Sequence, residues 1–441
     1  MPTRPHCHLV GVAGVGMSAI AQALLDVGYE VTGSDRDFDA GRALLVIDQL
    51  SRSGVCFVPQ DGSGIRADTE ALVVSTAIEH DNADVKSAHE QGVPTRHRSE
   101  MLWMLARRRR CLAITGTSGK STVTGMVGHI LTETGHDPMV VNGAPLLNWK
   151  TDTHVGNFRA GQGAISVIEA DESDRSLLHF FPERAVITNA SADHFDLPAT
   201  EALFATFAAQ VKRDLVDAWR EPETFCPQTV ECTAEGVSFS YAGQRVRMPV
   251  MGEHNASNAA LAMEACLRIG VSASDAAQAL AGFRGIHRRL ERVGHASGVA
   301  VFDDYSHNPA KISAACLALR PHYARLHVVW RPHGYGPLRN MLDELVTAFG
   351  VHLRGGDHLH ALPVYDVGGT ADRSVSHLDF IAASTAAGLD ARACEDYADV
   401  CDALAGWASA GDAILVMGAR DPFLPDLARQ LLARIAAEGV G

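Results

Sequence analysis

The sequence predicts an α/β protein of two to three domains built on mostly parallel sheets. Short apolar strands alternate with helix-like segments almost throughout the chain. Two of the strand-to-helix turns are rich in glycine: Gly11-Val-Ala-Gly-Val-Gly16 and Gly116-Thr-Ser-Gly-Lys-Ser121. The length of 441 residues exceeds what one ordinary core organises.

The elements follow in order. Residues 8–12 read as a strand, 16–26 as a helix, and 30–33 as the next strand, ending at Ser34 and Asp35. A short buried strand over 71–74 runs into Ser75-Thr-Ala. This βαβ series implies a parallel sheet. The basic run Arg107 to Arg110 reads as a solvated linker, with phosphate steering as its other reading, and a domain boundary falls there. A strand over 112–115 opens the second series. Strand 164–168 ends in Glu169-Ala-Asp-Glu-Ser-Asp174, and strand 185–188 ends in Asn189, followed by Asp193-His194. Parallel strands present ligand-binding residues at their carboxyl ends. The Gly116 loop, Glu169, Asn189 and His194 are therefore expected along one crest. A third α/β series begins near Gly294, after His287-Arg-Arg-Leu-Glu-Arg292. Its strands over 299–302, 326–330 and 413–417 end at Asp303, Arg331-Pro-His333 and Gly418.

Composition narrows the classes. Hydrophobic content of 46% and charged content of 20% describe a water-soluble globular chain. A net charge of -14 argues against a general nucleic-acid binder. Nine scattered cysteines without a C-x-x-C point to reduced, cytoplasmic thiols. No apolar run is long enough to span a bilayer, and residues 1–10 lack a signal-peptide core.

The Gly116 loop has the grammar of a phosphate-binding loop, but Ile114 stands where the usual first glycine belongs. Its backbone N–H groups and the following helix favour an anion, Lys120 adds a mobile charge, and Ser121 offers a hydroxyl to Mg²⁺. The carboxylates after Glu169 suit the same hard cation, or alternatively form a solvated acidic turn. His254 and Asn258 share one helix face, where they could grip a base edge, and Asn255 reads equally well as an N-cap. The Gly11 turn, with Asp35 after the next strand, follows the plan of a dinucleotide domain. Any nucleotide pyrophosphate would satisfy the same backbone.

Together these motifs resemble the ATP-dependent Mur ligases, over nearly the whole chain. HLVGVAGVGMSAIAQALLDVGYEVTGSD, VVSTAI, HRSEML, TGTSGKST, EADESD, TNASADH, GEHNASNAA and DDYSHNP come in that family's order. The resemblance implies three domains. Residues 1–106 would form a Rossmann-like domain binding a UDP-sugar, 107–293 a P-loop ATPase core, and 294–441 a C-terminal Rossmann-like domain. It implies UDP-sugar contacts at Gly14, Val15, Gly16, Met17, Ser18, Asp35, Ser75, Thr76 and His97. ATP would meet Gly116, Thr117, Ser118, Gly119, Lys120, Ser121, Thr122, Asn189, His254, Asn255 and Asn258, with Arg289, Asp304 and His307 from the third domain. Ser121, Glu169 and His194 match Mg²⁺ ligands, and His333 would face the amino acid. Lys120, Glu169, His194 and His333 are the implied catalytic set.

The implied reaction joins an amino acid, L-alanine by default, to the lactyl carboxylate of UDP-N-acetylmuramate through an acyl phosphate. A cytoplasmic monomer or homodimer is expected, with no nucleic-acid or membrane partner. The chain departs from the family after Pro332-His333, where Gly334 and Pro337 replace two arginines expected near the amino acid's carboxylate. Arg331 and Arg339 are the remaining candidates there. A recycling ligase taking a preformed peptide, a different amino-acid acceptor, and a binder without turnover are the neighbouring readings. An NAD-dependent oxidoreductase would leave Lys120 and Glu169 without a role.

Overall fold

Two compact units make up the chain in the computed structural model, which describes residues 4–191, 195–366 and 372–438. Unit 1 comprises residues 1–230, 238–249 and 254–287, and unit 2 comprises 231–237, 250–253 and 288–441.

Unit 1 holds two sheets. The first contains β1 (His6–Val10), β2 (Glu30–Ser34), β3 (Cys56–Phe57), β4 (Thr69–Val74) and β5 (Thr95–His97), in the order β3-β2-β1-β4-β5. Every pairing in it is parallel. The order reverses between β1 and β4, the kind of switch point where open sheets bind ligands. The Gly11 turn follows β1 directly. The second sheet contains β6 (Arg110–Thr115), β7 (Met139–Val141), β8 (Phe158–Arg159), β9 (Ile165–Glu169), β10 (Arg184–Ile187) and β11 (Asp214–Asp217), in the order β11-β10-β6-β9-β7-β8. Only β8 runs antiparallel. Register pairs Ile114 with Glu169 and Thr115 with Ile187, so the loops after β6, β9 and β10 emerge side by side.

One apolar cluster joins the two sheets. It runs from Leu9 and Leu24 through Leu102 and Leu105 of the helix Arg98–Ala106 to Ile168 and Phe204. That helix covers both sheets because its apolar residues recur at helical spacing, three and four apart. The strands β12 (Gln228–Thr233), β13 (Gly236–Tyr241) and β14 (Gln244–Met248) form a small sheet in chain order.

Unit 2 contains β15 (Glu291–Ala296), β16 (Val299–Asp304), β17 (Leu326–Trp330), β18 (His358–Ala361), β19 (Ala391–Ala393) and β20 (Ala413–Met417). The order is β15-β16-β20-β17-β18-β19, parallel except for the β15–β16 pair. Met417 pairs with both Asp304 and Trp330, which aligns Asp304, Arg331 and Gly418 on one crest. Beneath it Trp330, Phe349 and Phe380 pack with ring centroids 4.7–5.7 Å apart. Burying each phenylalanine contributes about 1.5–3 kcal/mol.

Sequence reasoning finds the central strands to within a few residues. The edge strands β3, β5, β8 and β19 are too short, at two or three residues each, to show an alternation. All nine cysteines are free thiols.

Candidate active site

The turn after β6 depends on glycine. Gly116 sits at φ +133° and Gly119 at φ +81°, a region that strains other residues. A Cβ at Gly116 would stand 2.0 Å from Thr188 Oγ1. The helix Lys120–Glu133 begins without a side-chain cap. Its first N–H groups are thus left for an anion.

The loop is braced from the end of β10. Thr188 Oγ1 donates to the Ser118 carbonyl at 2.6 Å, and Asn189 Nδ2 donates to the same oxygen at 3.0 Å. Asn189 Oδ1 accepts from Thr117 Oγ1 at 2.6 Å and from the Ser118 N–H at 3.0 Å. Both ends of the Asn189 amide are therefore engaged with the loop itself. Ser191, which sequence reasoning does not single out, adds a 2.9 Å hydroxyl contact to Thr117.

Lys120 folds back over the turn. Its ammonium donates to the Gly116 carbonyl at 2.8 Å and pairs with Glu172 Oε2 at 2.6 Å. Glu172 is buried. Burial pushes its carboxyl above the usual range, against the pull of Lys120. Glu169, the last residue of β9, accepts from the Gly143 N–H at 2.8 Å. The adjacent Asn142 donates to the Ser121 carbonyl at 3.1 Å. The Asn142-Gly143 corner thus ties the start of the loop helix to Glu169. His194 lies outside the described residues. Among the described residues, no group of three or more His, Cys, Asp or Glu could hold a metal ion.

Thr122 lies in the first turn of the loop helix. His254, Asn255 and Asn258 lie on the helix Glu253–Leu267. The N-cap reading of Asn255 is corrected, because the helix starts two residues earlier and Asn255 is inside its first turn. Asn255 Oδ1 accepts from Asn258 Nδ2 at 3.3 Å. A Cβ at Gly119 would meet Asn258 Oδ1 at 2.5 Å, so this helix borders the phosphate-type turn.

In the first sheet, Gly11 adopts φ +69° and its carbonyl accepts from the Gly14 N–H at 3.1 Å. Asp35 accepts from the Ala13 N–H at 3.0 Å and from the Asp37 N–H at 2.9 Å. Burial pushes its carboxyl up, against those two bonds. Val15 and Gly16 open the helix Val15–Asp26, while Met17 and Ser18 are buried within it. The Ser18 hydroxyl donates to the Val15 carbonyl and accepts from Asn157 Nδ2, both at 2.9 Å. Ser75 and Thr76 follow β4, and Ser75 Oγ accepts from the Ala77 N–H at 3.4 Å.

Arg98 connects the two halves of unit 1, a role that sequence reasoning misses. Its Nη2 donates to Asp171 at 3.0 Å and to Asp174 at 3.1 Å. A Cβ at Gly16 would come within 2.9 Å of Arg98 Nη1, so glycine there lets the guanidinium approach the Gly11 turn. Burial alone would raise the Asp171 carboxyl, but Lys120 and Arg98 outweigh it and hold it low. His97 caps the helix of Arg98 and shares a 2.7 Å contact with Ser99 Oγ. Burial pushes its imidazole down. A cavity of about 140 Å³ is bounded by Gly16, Arg98, Asn142, Glu169 and Phe180. It borders the first glycine turn at Gly16 and the Asn142-Gly143 corner that bonds to the start of the loop helix.

Unit 2 carries the remaining residues. The Asp304 carboxylate is filled by its own chain, accepting from the Leu290 N–H at 2.6 Å, the Ser306 N–H at 2.7 Å and the Ser306 hydroxyl. The Arg289 guanidinium lies 5.4 Å from the Tyr305 ring centroid. The rings of His307 and His333 meet edge to face at 4.7 Å. Burial pushes each imidazole down to about 4. Arg331 pairs with Asp421 at 2.5 Å, and Arg339 pairs with Asp372. Each candidate replacement for the missing arginines therefore already holds a carboxylate.

The histidine shifts carry a pH prediction. A histidine whose folded pKa lies below its unfolded value binds its proton more weakly when folded. The stability from neutral burial is fully present above about pH 6.5 and is lost as pH falls towards 4. His6 and His360, also near 4, act in the same window. Thermal unfolding of the wild type is expected to show Tm falling between pH 6.5 and 4. The variant His307→Gln/His333→Gln is expected to lose less over that interval, and parallel curves would refute the assignment.

The two sheets of unit 1 carry glycine-rich turns after β1 and β6, the arrangement with which open α/β sheets bind phosphorylated ligands. Comparison with known proteins makes the class specific. Residues 6–110 match the family model described as Mur ligase family, catalytic domain. Residues 114–224 match the Mur ligase middle domain, and 288–420 the Mur ligase, glutamate ligase domain. A UDP-N-acetylmuramate–L-alanine ligase of Agrobacterium fabrum is 32% identical over 93% of each chain. One from Nitratidesulfovibrio vulgaris is 36% identical over 78% of this chain and 80% of its own. Among solved structures, a UDP-N-acetylmuramate-alanine ligase of Thermotoga maritima aligns with TM-score 0.80 and 23% identity, covering 98% of this chain and 99% of its own. A murein peptide ligase of Psychrobacter arcticus aligns at TM-score 0.66 and 22% identity, covering 98% of each chain. These last two likenesses speak for the fold. The chain belongs to the Mur ligase family.

Proposed function

We propose that this protein is an ATP-dependent ligase that joins L-alanine to the lactyl carboxylate of UDP-N-acetylmuramate, in peptidoglycan precursor synthesis. The observation that carries the reading is the Arg98–Glu169 cavity, which is bordered by the UDP-type turn at Gly16 and by the elements that support the phosphate loop. A sugar held by the first sheet reaches the γ-phosphate of ATP only if both sites open on shared space.

The chain's residues act in sequence. The loop amides and Lys120 take the β and γ phosphates, and the Thr188–Asn189 brace keeps the turn open. Lys120 leaves Glu172 for the phosphates or bridges both. The lactyl carboxylate attacks the γ-phosphorus, ADP leaves, and an acyl phosphate remains. The amine of the amino acid then attacks the acyl carbon and expels phosphate, closing the amide. Ser121 and Glu169, with His194, would hold Mg²⁺, which when bound offsets the negative charge gathered at the phosphates. Arg289 and His307 would meet the nucleotide and His333 the amino acid. Being neutral at pH 7, the two imidazoles would act there by hydrogen bonding.

The engagement of Arg331 and Arg339 with Asp421 and Asp372 supports a second reading, in which the acceptor is a preformed peptide. ADP release with UDP-N-acetylmuramate against a panel of amino acids and a tripeptide separates the two. Release with L-alanine above all others is expected. Release with the tripeptide alone would replace the first reading, and no release with any acceptor would remove both.

A further inference from the structure

The central sheet of unit 1 has a second opening at the end opposite the phosphate loop. Strand β6 leads into that loop from Thr115, while its first residue, Arg110, lines a cavity of about 630 Å³. Ligand sites typically occupy about 300–1,000 Å³. The lining includes Trp103, Arg107, Arg108, Phe181 and Lys212, so the arginine run is more than a linker.

Positive charge is gathered here and poorly neutralised. One carboxylate, Glu183, is shared by Arg184 at 2.6 Å, Arg110 at 3.1 Å and Arg213 at 3.2 Å, and Arg184 has a second in Asp214 at 3.2 Å. The hydrogen bond from Arg110 is the main reason that the Glu183 carboxyl is held low. Arg109 donates to the Ala160 and Gly161 carbonyls, at 3.2 and 2.8 Å, and its charge also reaches the Asp137 carboxylate. Arg107, Arg108 and Lys212 are exposed, and among the described residues they meet no carboxylate. A protein of net charge -14 has carboxylates to spare for an ordinary surface. Such surfaces intersperse both signs.

The apolar part of the lining is equally out of place. Phe181 is 45% exposed and tilts against Trp103, with centroids 6.4 Å apart. An aromatic wall beside unpaired guanidinium groups suits a ligand that is flat and apolar at one end and multiply anionic at the other. We propose that this cavity binds a nucleotide, with the base on Trp103 and Phe181 and the phosphates on Arg107, Arg108 and Lys212. It is separate from the loop at Gly116 and does not rest on the ligase reading.

Titration of the intact protein with ADP, followed by the difference in emission between wild type and Trp103→Phe, tests it. Saturable quenching of Trp103 is expected, and it persists in Lys120→Ala. In Arg107→Glu/Arg108→Glu it weakens at least about tenfold, while amide formation at saturating substrate is unchanged. Added salt weakens it as well. Absence of quenching at millimolar ADP overturns the proposal. So does quenching that is lost with Lys120 but indifferent to the double charge reversal. Displacement of ADP by oligoglutamate at equal concentration would also overturn it, since the site would then serve an acidic polypeptide.

Discussion

Lys120→Ala is expected to lower ATP-dependent amide formation at least about a thousandfold. Two unit negative charges about 4 Å apart repel by roughly 4 kcal/mol at an effective dielectric of about 20. A barrier higher by that amount slows a reaction by roughly three orders of magnitude. In the proposed reaction the attacking carboxylate and the γ-phosphate form such a pair, and Lys120 would be the cation that offsets it. The substitution also leaves Glu172 buried without its 2.6 Å partner. Its carboxyl is already pushed up by burial, and without Lys120 that desolvation loses its main opposing charge. Lys120→Ala/Glu172→Gln therefore serves as the control, removing the orphaned charge and restoring Tm without restoring turnover. Near-normal turnover in either variant would contradict the role of Lys120.

Gly116→Ala is expected to raise the KM for ATP at least about tenfold and to lower Tm. The backbone strain of a non-glycine residue in this region is of order 1–3 kcal/mol. In addition, the new Cβ would meet Thr188 Oγ1 at 2.0 Å, displacing the hydroxyl that holds the Ser118 carbonyl. Gly28→Ala separates the two causes. Gly28 has φ +94°, and a Cβ added there would meet nothing within 4 Å. It should lower Tm through strain alone and leave the KM for ATP unchanged. Equal effects of the two substitutions on KM would mean that the Thr188 brace does not shape the phosphate loop.

The sequence discloses what is local. Strand, glycine turn, lysine and helix are contiguous between Arg110 and Glu133, so spacing alone reveals the loop. Parallel pairing then brings Glu169 and Asn189 to the same crest, which the succession of strands makes visible in advance. Contacts between distant residues are not disclosed. Arg98 meets Asp171 across 73 positions, and Thr188 meets the Ser118 carbonyl across 70. Glu172 stands in an acidic run that suggests a metal, yet it turns to Lys120, a pairing decided by burial. Asn255 shows the opposite failure: a residue with strong capping chemistry suggested a helix boundary, and the helix started earlier.

The central claim is that the sugar's carboxylate itself takes the γ-phosphoryl group. UDP-N-acetylmuramate labelled with ¹⁸O in both lactyl carboxylate oxygens tests this directly when it is turned over with ATP and L-alanine. Attack by the carboxylate followed by amide formation moves one labelled oxygen into each phosphate released. Mass spectrometry of the phosphate is expected to show that single ¹⁸O. Phosphate free of label, with amide formed in equal amount, would contradict the mechanism drawn for this site.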